Sequence, residues 1–317
     1  MQVVVVVVLY KVIPDNSATV RSLKAEIQAY STLFNEIEIL LWDNSPESLD
    51  VDDIPTGFAY IHSRANDGVS GAYNSALHRA MALSCPWLLL LDQDSELPLG
   101  YLQRLLDHAQ MLLEAGKIAA IVPFVRSNDV LVSPRRSGWT LRSSQVEADA
   151  SGVLVENGFA INSGTLMRVS ALESIGGYSR LFWLDLSDQY VFRKLYQAGF
   201  VMYLAADLTI GHSIASSDYD RNMSVERYRS FLAAENLFTR TFHSALSNAA
   251  HDVVLLGRAA RQYRRYRNKA FAWSTLRSFR QRVFLSNHHG LNVWKNELGE
   301  RNMPLVGRQQ TKRRLPS

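Results

Sequence analysis

Cysteine is almost absent from this chain of 317 residues, and its one thiol, Cys85, excludes an internal disulfide framework. Such sparing use of cysteine is typical of a reducing compartment. Long apolar runs are missing too, since none approaches the roughly 18 to 20 residues that a membrane-spanning helix needs. The sequence therefore predicts a soluble or peripheral protein, and its hydrophobic fraction of 47% is enough for a sizeable core.

The first apolar run contains six valines and a leucine, Val3–Leu9. It lacks the basic segment and the small-residue cleavage site of a signal peptide. A continuous apolar run of this length is typical of a strand that is buried on both faces of a parallel sheet. We therefore expect the first strand of the fold here.

The first half of the chain alternates between strand and helix patterns, which predicts an α/β fold with a parallel, doubly wound sheet. We predict strands at 2–9, 37–42, 58–61, 87–91 and 118–122, and helices at 16–32, 71–83 and 99–115. Residues 123–158 lose this regularity and are interpreted as a hairpin or mobile loop. Beyond them we predict helices at 170–175 and 188–198, strands at 201–204 and 208–211, and helix from 225 onward.

Two carboxylates, Asp92 and Asp94, follow the four leucines of the fourth predicted strand. Ligands of open α/β sheets bind at the carboxyl ends of the strands. Aspartates two residues apart at such an end can converge on one hard divalent cation, Mg²⁺ or Mn²⁺. That cation can clamp nucleotide phosphates and neutralise a departing diphosphate. An ordinary acidic turn is the alternative interpretation.

Polar residues also follow the second strand and open the second helix. Asp43 is expected at the same sheet edge as Asp92, where it can accept the N3–H of a uracil or thymine ring, or cap a turn. The segment Asn66–Asn74 contains Gly68, and glycine lets backbone approach a ligand while the helix start offers N–H groups to phosphate. Its spacing matches neither a P-loop nor the Rossmann fingerprint, so a plain glycine turn stays open.

The second half places two acids and a histidine at the ends of predicted elements. Asp185 and Asp188 lie three residues apart at a helix start, where the helix dipole alone favours acids. The functional alternative is a general base, ionised and aimed at an acceptor hydroxyl. His212 follows a strand and is either structural or, facing two aspartates at a sheet edge, part of a metal or diphosphate site.

Taken in order, these motifs resemble the inverting glycosyltransferases of family 2, which have the GT-A fold. The ordered set comprises Trp42–Ser45, Asn66–Asn74, Leu91–Ser95, Ser163–Thr165, Ile175–Tyr178, Phe182–Asp188 and His212. The resemblance covers residues 1–240. It implies a nucleotide-diphospho-sugar transferase domain with a mostly parallel, Rossmann-like sheet, followed by a basic helical extension at 241–317.

The resemblance also implies a role for each motif. Asp94 would be the direct metal ligand, assisted by Asp92 and His212, with Mg²⁺ or Mn²⁺ as the cofactor. Asp188 would deprotonate the acceptor, with Asp185 as its rival. The nucleotide site would be formed by Tyr10, Asp43, Asn66, Gly68, Asn74 and Asp92.

The implied reaction moves a sugar, with inversion, from a dTDP- or UDP-linked donor to a glycan or lipid-linked acceptor in cell-surface polysaccharide or O-antigen synthesis. The form Leu91-Asp-Gln-Asp-Ser95 is similar to the bacterial rhamnosyltransferase branch. That branch, however, has an acid where Tyr190 stands, and its arginine lies one residue later than Arg193. The departures leave the base open between Asp185 and Asp188, and they weaken the case for rhamnose.

The chain is electrostatically divided. Residues 251–317 carry 15 lysines and arginines against 3 acids, a net charge of +12, whereas residues 1–250 have a net charge of −8. Interleaved aromatic residues and an apolar stripe, Leu255, Leu256, Ala259, Tyr263, Tyr266 and Ala270, favour a basic amphipathic helix. The segment 251–285 is therefore expected to contact an anionic membrane at the cytoplasmic face, although a solvated face or a dimer contact stays open. Nucleic acid is not expected as a partner.

Two other enzyme classes share an Asp-x-Asp motif after an apolar strand. Aspartyl-phosphate phosphatases carry it on their first strand, whereas here it follows the fourth. A nucleotidyltransferase would need a glycine-rich loop after strand one, and residues 9–14 contain no glycine. A non-catalytic sugar-binding protein would have no reason to keep four aspartates at strand ends and helix starts.

Overall fold

The computed structural model describes residues 3–128, 130–147, 149–212, 223–285, 287–299 and 311–313. The described strands are β1 (Val3–Leu9), β2 (Ile37–Asp43), β3 (Ala59–His62), β4 (Trp87–Asp92), β5 (Ser95–Glu96), β6 (Ile118–Ser127), β7 (Val130–Ser133), β8 (Arg135–Ser137), β9 (Ser143–Gln145), β10 (Gly152–Leu154), β11 (Gly158–Phe159), β12 (Leu166–Arg168), β13 (Val201–His212) and β14 (Thr311–Arg313). The described α-helices are α1 (Ala18–Ala29), α2 (Gly68–Ala82), α3 (Tyr101–Met111), α4 (Val169–Ser174), α5 (Ser187–Gln197), α6 (Val225–Phe242), α7 (Ala245–Arg265), α8 (Ala270–Phe284) and α9 (Asn287–Gly299).

One large sheet contains the long strands of the first 212 residues and, at one edge, β14. Its strands follow the order β10-β13-β6-β12-β4-β1-β2-β3-β14. The strands β3, β2, β1 and β4 run parallel, and β6 and β13 form another parallel pair. β12 runs antiparallel between β4 and β6. The predicted mostly parallel sheet is confirmed.

The valine run explains why helices cover both faces of the sheet. Side chains alternate along a strand, so Val4, Val6 and Val8 enter a core shared with α2, α4 and α5. Val3, Val5 and Val7 enter a second core shared with α1 and α3. Because both faces are buried, β1 and β4 are apolar until they end, and the carboxylates Asp43 and Asp92 stand at the carboxyl ends of β2 and β4.

Residues 123–158 form hairpins. A hairpin and a mobile loop were the two alternatives from the sequence. β6 runs through to Ser127, past the predicted end at 122, and pairs with β7. β8, β9 and β11 then form a separate three-stranded sheet. The loop 138–142 joins β8 to β9 and reaches the helical extension, where the backbone carbonyl of Trp139 accepts a hydrogen bond from Ser247.

The helices α6 to α9, called here the helical extension, pack onto the sheet domain through an aromatic cluster. Phe182 from the domain meets Leu237 and Phe238 of α6 and Trp294 of α9. The predicted domain boundary at 240 therefore falls inside α6, which belongs to the interface. Among the described residues, no helix combines the length and the apolarity needed to cross a membrane.

Several predicted element bounds are corrected by the structure. The strands predicted at 201–204 and 208–211 are one strand, β13, because a register shift between Ala205 and Thr209 lets the chain continue along β6. Helix α2 begins at Gly68 rather than residue 71. The predicted apolar stripe of α7 is wrong. Leu255 and Ala259 are buried, whereas Leu256 and Tyr263 face outward, because the helix turns its apolar residues toward two environments.

Candidate active site

The turn after β4 carries Asp92 and Asp94, and neighbouring hydroxyl groups hold it in place. The hydroxyl of Thr19 bonds the backbone carbonyls of Asp92 and Ser95 and accepts the Ser95 N–H. The backbone N–H of Asp92 donates to Ser163 Oγ at 2.8 Å. Both aspartates are partly exposed, so the fixed turn presents two carboxylates at the edge of the sheet.

A pair of tyrosines in contact with each other links Asp92 to the neighbouring segments. Tyr73 from α2 donates its hydroxyl to Asp92 Oδ1 at 3.1 Å, and its ring lies 5.1 Å from that of Tyr178. Tyr178 in turn donates to Asn162 Oδ1 at 2.9 Å, and the Asn162 amide donates to Ser187 Oγ at 3.1 Å. This chain of contacts connects the end of β4 with the start of α5, which carries Asp188.

Asp188 lies in the first turn of α5, where the negative charge of Asp92 acts on its carboxyl group. Burial raises the pKa of Asp188 to about 6; the backbone N–H groups of Gln189 and Asp188 oppose the rise, and the charges of Asp92 and Asp185 add to it. Gln189 donates to Asp188 Oδ1 at 2.7 Å. A carboxyl group whose pKa lies near neutral pH is suited to accept a proton from a substrate.

Asp185 has a different environment from Asp188. Both of its oxygens accept hydrogen bonds from the Arg227 guanidinium of α6, one of them at 2.6 Å. Bidentate pairs with arginine are among the strongest charge-assisted hydrogen bonds. The geometry thus gives Asp185 the position of a structural anchor for α6, which favours Asp188 as the base.

Asp43 ends β2 and is fully buried. Its Oδ1 accepts the Ser45 N–H, and its Oδ2 accepts the Tyr60 hydroxyl, both at 2.8 Å. The pairing also raises the pKa of Tyr60, after burial, which is the larger cause. The position matches the prediction, and the base-reading role stays a prediction, since the carboxylate already caps the turn after β2.

The segment Asn66–Asn74 packs against the loop that leads to α5. A Cβ at Gly68, where φ is +66°, would lie 2.3 Å from the Trp183 carbonyl oxygen, so close protein packing accounts for this glycine. The Asn74 side chain holds the backbone of Tyr178 with two hydrogen bonds of 2.8 Å. Nucleotide contacts from Asn66, Gly68 and Asn74 stay predictions.

Tyr10 follows β1 and has 43% of its surface exposed, with its N–H donating to Gln93 Oε1 at 2.8 Å. Gln93 lies between Asp92 and Asp94, so Tyr10 borders the turn of the two aspartates. Its predicted contact with the nucleotide has not been tested.

The residues predicted to bind metal come from adjacent strands. The backbone of His212 pairs with Ser95, next to Asp94, although the His212 side chain lies outside the described residues. Two carboxylates of one turn are the hard oxygen donors that Mg²⁺ and Mn²⁺ prefer, so the donor set fits such a cation. No group of three or more His, Cys, Asp or Glu within the described residues forms a complete metal cage. Ligands such as diphosphate oxygens would therefore have to complete the coordination.

Comparison with known families bears directly on this edge of the sheet. The family described as Glycosyl transferase family 2 matches residues 4–176, which is more than half of the chain and includes β1 to β4. The chain belongs to glycosyl transferase family 2. Because the match ends at 176, α5 and the helical extension lie outside the matched segment.

Curated relatives of this family 2 chain include the galactofuranosyltransferase GlfT1 of Mycobacterium tuberculosis, in strains CDC 1551 and H37Rv. The identity is 26% over 172 residues, covering 52% of this chain and 55% of each relative. The chain thus spans about half the length of the curated relatives it matches.

Solved structures confirm the GT-A fold of this family 2 chain. Staphylococcus aureus TarS 1-349 in complex with UDP-GlcNAc has a TM-score of 0.51 at 15% identity, covering 95% of this chain and 81% of that one. GalNAc-T7 with UDP, GalNAc and Mn²⁺ has a TM-score of 0.51 at 10% identity, covering 87% and 56%. At such identities the likeness concerns the fold alone.

Sequence reasoning missed the tyrosines of this family 2 site. Tyr73 and Tyr178 belong to motifs that were selected for their glycines and asparagines. In the structure the two tyrosines connect Asp92 to Asn162. Arg227, which pairs with Asp185, was missed as well. A tyrosine or an arginine has no distinctive spacing of its own, so these contacts became visible when distant segments met.

Proposed function

We propose that this protein transfers a sugar from a nucleotide-diphosphate donor to a hydroxyl group of a glycan or lipid-linked acceptor, with inversion at the anomeric carbon. One observation supports this most: Asp92, at the end of β4, and Asp188, in the first turn of α5, lie close enough for the charge of Asp92 to raise the pKa of Asp188. A donor-holding carboxylate on one side and a base on the other is the arrangement that an inverting displacement needs.

Asp188 is the proposed general base. Its pKa of about 6 leaves it mostly ionised at neutral pH, while the proton affinity stays high enough to take a hydroxyl proton as the new bond forms. The acceptor oxygen then attacks the anomeric carbon opposite the leaving diphosphate, which inverts the configuration. Asp185 is tied to Arg227 and holds the loop before α5 in place.

Asp92 and Asp94 are the proposed holders of Mg²⁺ or Mn²⁺, with His212 beside them. The cation, when bound, supplies positive charge to the departing diphosphate. The fixed turn around Thr19 and Ser163 keeps both carboxylates aimed at the edge of the sheet, so little reorganisation is needed. Asp43 is proposed to contact the base.

A UDP-linked sugar is the favoured donor, since solved GT-A structures include TarS with UDP-GlcNAc and the curated relative is a galactofuranosyltransferase. A dTDP-linked donor such as dTDP-rhamnose is the second candidate, supported by the Leu91–Ser95 motif. Cell-surface polysaccharide or O-antigen synthesis is the proposed setting.

The outer face of α7 and α8 is the proposed contact with an anionic membrane that carries the acceptor. Exposed Trp273, Arg277, Arg280 and Phe284 lie four, three and four residues apart, which places them on one side of α8. The Trp273 ring lies 6.2 Å from that of Tyr263 on α7. Basic and aromatic residues on one face suit the headgroup region of such a membrane. Dimerisation through the same face is the alternative.

Thermal shift with UDP, dTDP and GDP, each with and without Mn²⁺, tests the donor proposal. We expect one uridine or thymidine nucleotide to stabilise the protein, and Mn²⁺ to increase the shift. Asp94→Ala should abolish the Mn²⁺-dependent part and leave the melting temperature of the free protein unchanged, because the side chain is partly exposed. Glu96→Ala, at an exposed neighbouring position, is the matched control. Equal Mn²⁺-dependent shifts in Asp94→Ala and the parent would refute the metal role.

A further inference from the structure

Two cavities flank the loop 138–142, and both reach the start of α5. One has a volume of about 200 Å³ and the other of about 250 Å³. Thr140, Leu141, Arg142 and Gln189 line both. Gln189 follows Asp188 in the chain, so both cavities reach the helix turn that carries the proposed base. Neither contains Asp43, Asp92 or Asp94, so both lie outside the proposed donor site.

The second cavity has a polar wall built by the helical extension. Glu235 of α6 accepts two hydrogen bonds of 2.7 Å from Arg258 of α7. His251 is 3% exposed, and its Nε2 has no hydrogen-bond partner among the described residues. It lies 3.9 Å from Glu235 Oε1, too far for a hydrogen bond.

This gap fits a hydroxyl group. An oxygen about 2.8 Å from each atom can bridge the 3.9 Å between His251 Nε2 and Glu235 Oε1. Burial lowers the pKa of His251 to about 4, so the ring is neutral, and its Nε2 can accept a hydrogen bond from the hydroxyl group or, in the other tautomer, donate one to it. A buried nitrogen without a partner is costly, and a bound hydroxyl would remove that cost.

The remaining walls are suited to the carbon face of a sugar ring. Leu141, Leu186, Phe231 and Val254 give the second cavity apolar lining beside its polar groups. Trp139 lines the first cavity and keeps 65% of its surface exposed, while its carbonyl is anchored by Ser247. An anchored loop with an exposed aromatic ring is a ready platform for stacking.

We infer that the two cavities bind successive sugar rings of a glycan acceptor, which makes the loop 138–142 and the helical extension the determinants of acceptor choice. This inference rests on the proposed function. Each cavity is smaller than the roughly 300 to 1,000 Å³ of a typical ligand pocket, as expected when each holds one ring. The Glu235–His251 pair grips a hydroxyl of one ring, and Trp139 stacks on the other.

Saturation-transfer NMR on the full chain tests the inference without the transfer reaction. The probes are methyl glycosides of galactofuranose, galactose, rhamnose and N-acetylglucosamine, with disaccharides of the best binder. We expect binding of at least one probe. Trp139→Ala and His251→Phe should each raise its dissociation constant about tenfold, because one removes the stacking surface and the other the nitrogen.

Tyr196→Ala is the control, since Tyr196 is an aromatic residue of α5 with 41% exposure that lines neither cavity. UDP and dTDP binding, measured in the same samples, separates the two proposals. If neither nucleotide binds the parent protein, the proposed function fails even where glycosides bind. If a nucleotide binds but no glycoside does, or if Trp139→Ala binds glycosides as tightly as Tyr196→Ala, the inference is overturned.

Discussion

The carboxyl edge of the sheet and the helical extension both contain carboxylates that are removed from solvent. The two regions differ in whether such a carboxylate has a cationic partner. In the extension, Glu235 is paired with Arg258, and buried Arg282 donates to Asp252 at 2.5 Å. At the sheet edge, the half-buried Asp188 is held by backbone N–H groups, and its pKa rises to about 6.

The contrast separates charges that organise packing from a charge that can react. A buried ion pair keeps both partners ionised and fixes the relative position of two helices. A buried carboxyl group without such compensation exchanges its proton near neutral pH, which a general base requires. The extension therefore stabilises and shapes the site, whereas the sheet edge carries the proposed chemistry. Four measurements test this distinction between the paired charges of the extension and the proposed base.

Asp188→Asn should have the largest effect. The amide has nearly the same shape but cannot accept a proton, so we expect kcat for transfer to fall by about 10² to 10⁴-fold, with UDP affinity retained. Steady-state kinetics and nucleotide binding measure the two quantities. Asp185→Asn is the matched control, and it should mainly lower thermal stability, because Arg227 loses its charged partner. Loss of transfer in Asp185→Asn but not in Asp188→Asn would reverse the roles.

The pH dependence of transfer comes next. Below a pKa of about 6 for Asp188, kcat should fall about tenfold per pH unit as the base becomes protonated. The sign for stability is the opposite. The folded pKa exceeds the ordinary value of 3.8, so the folded state binds more protons between pH 4 and 6. The contribution of Asp188 to the free energy of unfolding should therefore decrease as the pH rises through that window, so the difference in stability between the parent and Asp188→Asn should shrink. Chemical denaturation at pH 4.5 and 7 measures it.

His251 in the extension should show the reverse behaviour. Its pKa of about 4, below the ordinary 6.5, means that the unfolded state binds more protons between these values. Lowering the pH from 6.5 to 4 should therefore reduce the contribution of His251 to the free energy of unfolding, by up to about 3 kcal/mol. The effect is measured as the difference between the parent and His251→Phe in the same denaturation series, because Asp188 acts with the opposite sign in the parent. An equal pH dependence of stability in the parent and in His251→Phe would contradict the assignment.

The outer face of the extension should give the smallest effect. Trp273→Ala and Phe284→Ala should each weaken partitioning onto anionic phosphatidylserine vesicles about three- to tenfold, since an exposed aromatic ring is lost. Added salt should weaken binding of the parent protein as well. Met111→Ala, at a position of α3 with 59% exposure, is the control. Partitioning of all three variants equal to the parent would remove the membrane role.

The sequence predicted the sheet and the position of its acids better than it predicted the surroundings of those acids. The valine and leucine runs are buried strands because alternate side chains enter two cores. Asp43 and Asp92 end strands, and Asp188 starts a helix, as predicted. Residues 205–207 were interpreted as a break because a local pattern cannot show that a register shift lets β13 continue.

The extension was harder to interpret for a physical reason. Its basic composition favoured one membrane-binding face, with a solvated face as the alternative, yet Arg258 and Arg282 turn inward to Glu235 and Asp252. Charge counts along a chain do not record which charges will meet across two helices. For the same reason, the sequence could not show that Asp185 pairs with Arg227, the contact on which the proposal of Asp188 as the base depends.

The sequence by itself determined a parallel sheet with carboxylates at one edge, because strand burial and the direction of parallel strands follow from local pattern alone. The tertiary structure decided which acid is paired, which is left to exchange protons, and which cavities adjoin it. Those outcomes depend on contacts such as that between Asn74 and Tyr178, 104 residues apart. Burial and partnership are properties of the packed chain, and they set the pKa that makes a carboxylate a base.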